Sequence, residues 1–322
     1  MSSLPASFAS LKLPVVVAPM FLISGPDLVI ACCRNGMVGT FPALNHRTTE
    51  GFEEWVIQIK AAIAEMDNPV PFGVNLIVHP TNPRLMADLE VVVKHQVPIV
   101  ITSLGAVPDL VEAVHSYGGL VFHDVINRRH AEKAAAAGVD GLILVSAGAG
   151  GHAGTLNPMA FIHEIRSFYD KTILLSGCIS RGQDIASALQ MGADLAYMGT
   201  RFINTTEAHV DQAYQQMIID SGTSDVVYTA AVSGVKANFM KKSLEAAGIP
   251  AEMWNSSAKI DFGKELDAAK AEAKAWKTIW SAGQGVAAID DVMPVDELAE
   301  ELTHDFRAAI HKQATWLQQY GV

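Results

Sequence analysis

Eight short apolar runs, each followed by an amphipathic stretch, fill the chain up to Phe202. They are VVVAPM (15–20), MVGTFP (37–42), PFGVNLIV (71–78), PIVITSLG (98–105), LVFHDV (120–125), GLILVSA (141–147), TILLSG (172–177) and LAYMGTRF (195–202). Runs this short, continuous in aliphatic residues and rich in β-branched ones, read as strands buried on both faces. Between them lie helical patterns such as PDLVIACCRNG, TEGFEEWVIQIKAAIAEM, NPRLMADLEVVVKHQ, NRRHAEKAAAAG and RGQDIASALQMG, several stopped by a glycine. Strands joined by helical crossovers form a parallel sheet covered by helices. Eight such units in succession fit an α/β fold of the (β/α)8 TIM barrel type better than an open doubly wound sheet.

The rhythm changes after Phe202. Residues 223–276 read as helical, through VKANFMKKSLEAAG (235–248) and the charged FGKELDAAKAEAKAWK (262–277), whose Lys and Glu spacing suits a solvated helix face. The expected organisation is therefore a barrel from 1–222 plus 277–322, carrying a small helical insertion, a cap or substrate unit, at 223–276. IWSAGQGVAAI (279–289) supplies a second glycine-rich turn. PVDELAEELTHDFRAAIHKQATWLQQ (294–319) is one long terminal helix, an outer barrel helix or a partner contact, which leaves a homodimer open.

Charge and cysteine usage exclude several functions. The net charge of −11 comes with no basic block, so a phosphate-tracking surface for nucleic acid has no support. The three cysteines, Cys32, Cys33 and Cys178, make neither a disulfide framework nor a four-ligand zinc site, and no metal site is expected; a reducing cytoplasm is the natural compartment. The first residues, MSSLPASFASLKLP, lack the basic-then-apolar order of an export signal. The apolar run 13–23 is broken by prolines and too short to span a bilayer, so no membrane association is expected.

In barrels of this kind the chemistry sits at the C-terminal ends of the strands, so residues distant in sequence can be pooled there. The pool is Ala18-Pro19-Met20, Asn75, His123-Asp124, Ser146 through His152, Ser176-Gly177 and Gly199-Thr200. Strands seven and eight both end in glycine beside a hydroxyl residue, where backbone N–H groups hold phosphate; either pair alone could be an ordinary turn, but together they imply a phosphate-bearing cofactor. His123 reads as a hydrogen-bonded barrel histidine and Cys178 as a small buried hydrophobe. Asp124 could satisfy backbone donors, open a helix or face a cofactor. Met20, Phe21, Phe239 and Met240 could line a cavity or pack between barrel and insertion.

The stretch LVSAGAGGHAGTLNP (144–158) crowds glycines around His152. GAGGHA matches the loose dinucleotide fingerprint, with Asp170 at a tempting distance, but the next helix starts only at Pro158, capped by Asn157, and the motif follows strand six. The glycines instead suit a backbone that approaches a flat ring, with His152 projecting over it as a proton-transfer group.

At these positions the chain resembles the nitronate monooxygenase family, formerly called 2-nitropropane dioxygenases, within an FMN barrel superfamily that includes FMN-dependent enoyl-acyl-carrier-protein reductases. The resemblance rests on APM (18–20), PFGVNL (71–76), HDV followed by RHAEKA (123–134), AGAGGHAG (147–154), LLSGCI (174–179), GADLAYMGTRF (192–202) and WSAGQGV (280–286). It implies FMN across the strand ends. Ala18, Pro19, Met20 and Asn75 would contact the ring, Gly150 and Gly151 would pass beside it, and Ser176, Gly177, Gly199 and Thr200 would hold the phosphate. Gln284 would be a further contact, and His152 matches the family's catalytic histidine. At Asp124 some relatives carry a lysine that contacts the flavin. The implied reaction is oxidation of a small-molecule alkyl nitronate by FMN and O2 to a carbonyl compound and nitrite, without a pyridine nucleotide. AAVSGVKANFMKKSL (230–244) also resembles the corresponding segment of nitronate oxidisers. An NAD(P)H-dependent reductase of enoyl thioesters or quinones, and a non-catalytic flavin-binding barrel, are the alternatives that these motifs leave open.

Overall fold

The computed structural model describes residues 4–232, 234–255 and 279–321. All eight expected runs are parallel strands: β1 Val15–Val17, β2 Thr40–Pro42, β3 Gly73–Ile77, β4 Ile99–Ser103, β5 Leu120–Val125, β6 Gly141–Val145, β8 Thr172–Ser176 and β9 Leu195–Met198. Their order is β1-β9-β8-β6-β5-β4-β3-β2. The ring closes between the two ends of that order, where Val17 N–H donates to the Val38 carbonyl (2.8 Å) and Val38 N–H to the Val15 carbonyl (3.0 Å). A closed ring leaves no sheet edge, so every strand is buried, which is why the strands read as unbroken apolar runs.

Helices alternate with the strands: α1 Pro26–Arg34, α2 Thr49–Ala64, α3 Leu85–Lys94, α4 Pro108–His115, α5 Arg128–Ala136, α6 Pro158–Arg166 and α7 Gly182–Gln190. Their starts carry the chemistry of the sequence. The Asn127 side chain accepts from His130 N–H, and Asn157 accepts from Met159 N–H with Pro158 at the first helical position. That cap sets the start of α6 six residues beyond His152, so the dinucleotide fingerprint is indeed a false match. After β9 come a single turn, α8 Thr200–Ile203, and α9 Gln212–Ile219. The terminal helix, here α11 (Val295–Tyr320), packs on α7 and α1 and takes the place of the eighth barrel helix; Val295, Leu298, Ala299 and Leu302 are its buried residues. Below the strands, Phe8 stacks on Phe122 at 6.1 Å and plugs the barrel floor.

The insertion differs from the helical expectation. Val226–Thr229 (β10) and Ala237–Met240 (β11) form an antiparallel pair, and β11 pairs in turn with Gly151–His152 (β7) from the loop after β6. Helix begins only at Lys241–Ala246, α10. VVYT is β-branched and aromatic, and the glycine loop offers ANFM unpaired backbone groups to bond; tertiary pairing overrides the local helical pattern. Phe239 and Met240 are fully buried, so the packing reading of those two residues holds. FGKELDAAKAEAKAWK (262–277) lies outside the described residues.

Candidate active site

Three adjacent strands carry a hydrogen-bonded chain across the barrel mouth. Asn75 on β3 donates through Nδ2 to the Ile101 carbonyl (3.1 Å) and to Ser103 Oγ (2.8 Å), and the Ser103 hydroxyl on β4 donates to Asp124 Oδ2 (2.6 Å). Both amide hydrogens of Asn75 are thereby committed, which leaves Oδ1 as an acceptor. Asp124 is half-buried as a residue, yet its Oδ1 is sealed from solvent and has no hydrogen-bond partner among the described residues. Burial pushes its carboxyl up to about 6, more than the Ser103 hydrogen bond pulls it down. Its charge reaches Tyr197 on β9, although β6 and β8 lie between the two strands. Both side chains therefore point into the barrel lumen. A sealed polar atom without a partner costs about 1–3 kcal/mol.

His123, one residue earlier, faces the other way. Its Nδ1 lies 2.7 Å from Thr102 Oγ1 and burial pushes the imidazole down to about 4, so it is neutral and structural, as expected.

The ends of β8, β9 and β1 meet. Gly177 follows β8 with φ +123°, and a Cβ there would lie 2.6 Å from Ser146 Oγ and 2.9 Å from the Ala147 carbonyl. Ser146 Oγ donates to the Ser176 carbonyl (2.5 Å), so the loop after β6 lies on the turn after β8. Gly199 follows β9, and its α-carbon faces Ala18 and Met20: a Cβ would sit 3.5 Å from Ala18 Cβ and 3.8 Å from Met20 Sδ. Thr200 starts α8, where the first N–H groups have no carbonyl inside the helix to bond. The structure thus brings Ala18, Met20, Ser176, Gly177, Gly199 and Thr200 to one rim, with Pro19 in the same turn.

The glycine-rich loop packs against a second glycine turn. A Cβ on Gly150 would lie 2.9 Å from Gly283 N and 3.2 Å from Thr200 Oγ1, and one on Gly283 would lie 2.6 Å from the Gly148 carbonyl. Two glycine turns, 148–151 and 282–284, are pressed backbone to backbone. Gly283 N–H donates to Thr200 Oγ1 (2.9 Å) and Gln284 N–H to the Gly148 carbonyl (2.8 Å). The Gln284 Oε1 would touch a Cβ on Gly148, which places Gln284 beside the loop. Gly151 is different: nothing lies within 4 Å of where its Cβ would be, and it adopts φ +68°.

His152 follows directly, exposed on β7 and opposite Ala237. Residues that sequence reasoning missed hold it there. Gly151 N–H donates to Ser281 Oγ (2.7 Å), which donates to the Asn238 carbonyl (2.7 Å), and Asn238 Nδ2 donates to the Ala149 carbonyl (2.6 Å). The Tyr214 hydroxyl donates to the Ser281 carbonyl, and its ring stacks on Trp280 at 5.0 Å. Tyr228 donates to the Ala153 carbonyl at 2.7 Å. Ser281 and Asn238 stand inside WSAGQGV and AAVSGVKANF, and Ser103 ends strand four, so strand-end pooling extended to hydroxyl residues reaches Ser103.

Cys178 is corrected: it is exposed with φ +58°, not buried. Partial burial and Asp184 push its thiol up, which disfavours the thiolate. Among the described residues no cluster of His, Cys, Asp or Glu could hold a metal ion, and no helix is long and apolar enough to cross a membrane.

The sequence profile of nitronate monooxygenases matches residues 84–305. The chain belongs to the nitronate monooxygenase family. It is 25% identical to the nitronate monooxygenase of Paraburkholderia phytofirmans over 93% of each chain. Nitroalkane oxidase from Streptomyces ansochromogenes superposes with a TM-score of 0.81 at 24% identity, covering 96% of this chain and all of the other. FabK from Thermotoga maritima shares the fold as well, at TM-score 0.80 and 21% identity over 96% of this chain and 97% of its own. The protein is accordingly an oxidoreductase.

Proposed function

We propose that the protein oxidises alkyl nitronates, using FMN and O2, to a carbonyl compound and nitrite, with His152 as the catalytic residue. The observation that carries this reading is the tethering of His152: a single histidine, exposed at the barrel mouth, is fixed by a two-residue strand and by backbone bonds on either side. A proton-transfer group needs that kind of placement within a hydrogen bond of the substrate.

The residues present fit a flavin phosphate ester. Ala18, Pro19 and Met20 would supply one apolar wall, and Asn75 and Asp124 one polar edge. Ser176, Gly177, Gly199 and Thr200 would take the phosphate through N–H and hydroxyl groups, as glycine-ended strands and helix starts do. Gly150, Gly151 and Gln284 would close over the ring. When bound, FMN accepts electrons from the substrate and passes them to oxygen.

In this scheme neutral His152 takes the α-proton from a nitroalkane, or its protonated form holds the anionic nitronate. The insertion, which we assign to 223–276, meets the site through β11, which pairs with Gly151–His152. His152→Asn tests the role: FMN stays bound, and turnover falls by about 10²–10⁴-fold. An unchanged rate removes His152 from the mechanism.

A further inference from the structure

We propose that Phe21, on the loop after β1, receives the apolar substituent of the substrate anion and sets the enzyme's preference for chain length. The inference rests on the nitronate reading above and assigns it a specificity-determining residue.

The loop is anchored on both sides of Phe21. Met20 packs against the barrel core and against a second cluster that joins barrel to insertion through Val226, Met240 and Ala282, and Ile23 is buried in that second cluster. Asn45, from the turn after β2, ties the residues between: its Oδ1 accepts from Leu22 N–H (2.8 Å), and its Nδ2 donates to the carbonyls of Met20 (3.0 Å) and Ser24 (2.7 Å). Ser24 Oγ accepts from Met20 N–H (3.0 Å), and Ser24 N–H donates back to the Met20 carbonyl (3.0 Å). Held in this way, Leu22 keeps φ +64°, a left-handed conformation that a leucine adopts only where its surroundings impose it.

Phe21 is the side chain that this construction leaves out of the core. It is 37% exposed and joins none of the hydrophobic clusters of the described residues, although Met20 and Ile23 on either side of it do. A loose loop would turn a phenyl ring inward, and the Asn45 bonds oppose that turn. Met20, one residue earlier, faces Gly199 at the rim, and it shares its cluster with Met240 of β11, the strand that pairs with Gly151–His152. The loop that carries Phe21 therefore runs along the seam between the rim and the strand that holds His152.

Backbone strain gathers at this end of the barrel. Among the described residues, positive φ at a non-glycine occurs at Leu22, Gln96, Leu104 and Cys178, and all but Gln96 lie on loops that leave the C-terminal ends of strands, β1, β4 and β8. Leu104, which follows Ser103, is itself 59% exposed. Strain collected around a mouth marks residues kept there for contact with a ligand rather than for packing. A nitronate is a planar anion with two oxygens at one end and an organic group at the other. With the oxygens at His152, the organic group meets an apolar surface, and a pre-positioned phenyl ring is a large one that loses little freedom on contact.

The experiment uses FMN-loaded protein and straight-chain carboxylates from propanoate to octanoate, unreactive anions with the planar two-oxygen head of a nitronate, and reads binding by calorimetry. Wild type is expected to gain up to about fourfold in affinity per methylene until the chain outruns the ring, about tenfold or more across the series. Phe21→Ser is expected to lose that gain, so that octanoate and propanoate bind within about threefold of one another, while Phe21→Leu, which keeps an apolar surface, retains most of it. With nitronates of the same lengths the loss should fall on KM rather than on kcat, as removal of uniform binding does. A chain-length gain in Phe21→Ser equal to that of wild type, or a wild type without any gain, overturns the proposal. Loaded wild type that shows the gain, loses it in Phe21→Ser and yet oxidises no nitronate upholds the place of Phe21 and overturns the nitronate reading alone.

Discussion

Ser281→Ala tests whether the backbone tether holds the loop that carries His152. The hydroxyl accepts from Gly151 N–H and donates to the Asn238 carbonyl, both at 2.7 Å. Its removal deletes two hydrogen bonds between the His152 loop and the insertion strand. At about 1 kcal/mol each the loss is about 2 kcal/mol, a factor of about thirty in the equilibrium between the docked and the open loop. Alanine adds no atoms, and Ser281 lies outside the barrel strands, so the global unfolding midpoint should stay near wild type. Amide exchange is the assay. The peptide covering 148–156 should exchange about thirtyfold faster, while peptides from β6 and β8 keep their protection. Turnover with a nitronate should fall with it, because a displaced His152 no longer meets the substrate. Exchange of that peptide within about threefold of wild type would refute the reasoning and leave β7 to be held by some other contact.

Gly177→Ala should destabilise by about 2 kcal/mol or more in urea unfolding, since its Cβ meets Ser146 and Ala147 at a positive φ; Gly118→Ala, with φ +84° and nothing within 4 Å, should cost only about 1 kcal/mol of backbone strain. Two buried groups give opposing pH dependences in the flavin-free protein. His123 is neutral when folded, so its contribution is complete above the unfolded value of 6.5 and drains away as pH falls toward about 4. Asp124 favours the acid, so its contribution is complete below 3.8 and is lost as pH rises through about 6. Each is worth about 3 kcal/mol, and the two offset one another across that window. From pH 4 to pH 6, Asp124→Asn should therefore gain about 2 kcal/mol of stability relative to wild type, read from urea midpoints; a pH-independent difference refutes the burial of that carboxyl.

The barrel was legible because its two periodicities are regular and its strands, buried on both faces, need no alternation. Strand ends could be pooled for the same reason, and Ala18, Met20, Ser176, Gly177, Gly199 and Thr200 meet at one rim. The insertion was not legible. ANFM pairs with Gly151–His152, far away in sequence, and nothing local announces a partner so distant. That Gly150 and Gly283 make room for each other was visible only once both turns were in place. Asp124 was left between a backbone acceptor, a helix start and a cofactor contact, while its sealed Oδ1 and the Asn75–Ser103 chain behind it required side-chain geometry.

Anaerobic stopped-flow absorbance of the FMN-loaded protein tests the central claim most directly. It is mixed separately with a small alkyl nitronate and with NADH or NADPH. The account predicts rapid bleaching of the flavin by the nitronate alone, followed on admission of oxygen by nitrite release. Fast bleaching only by a pyridine nucleotide, with none by the nitronate, would contradict it.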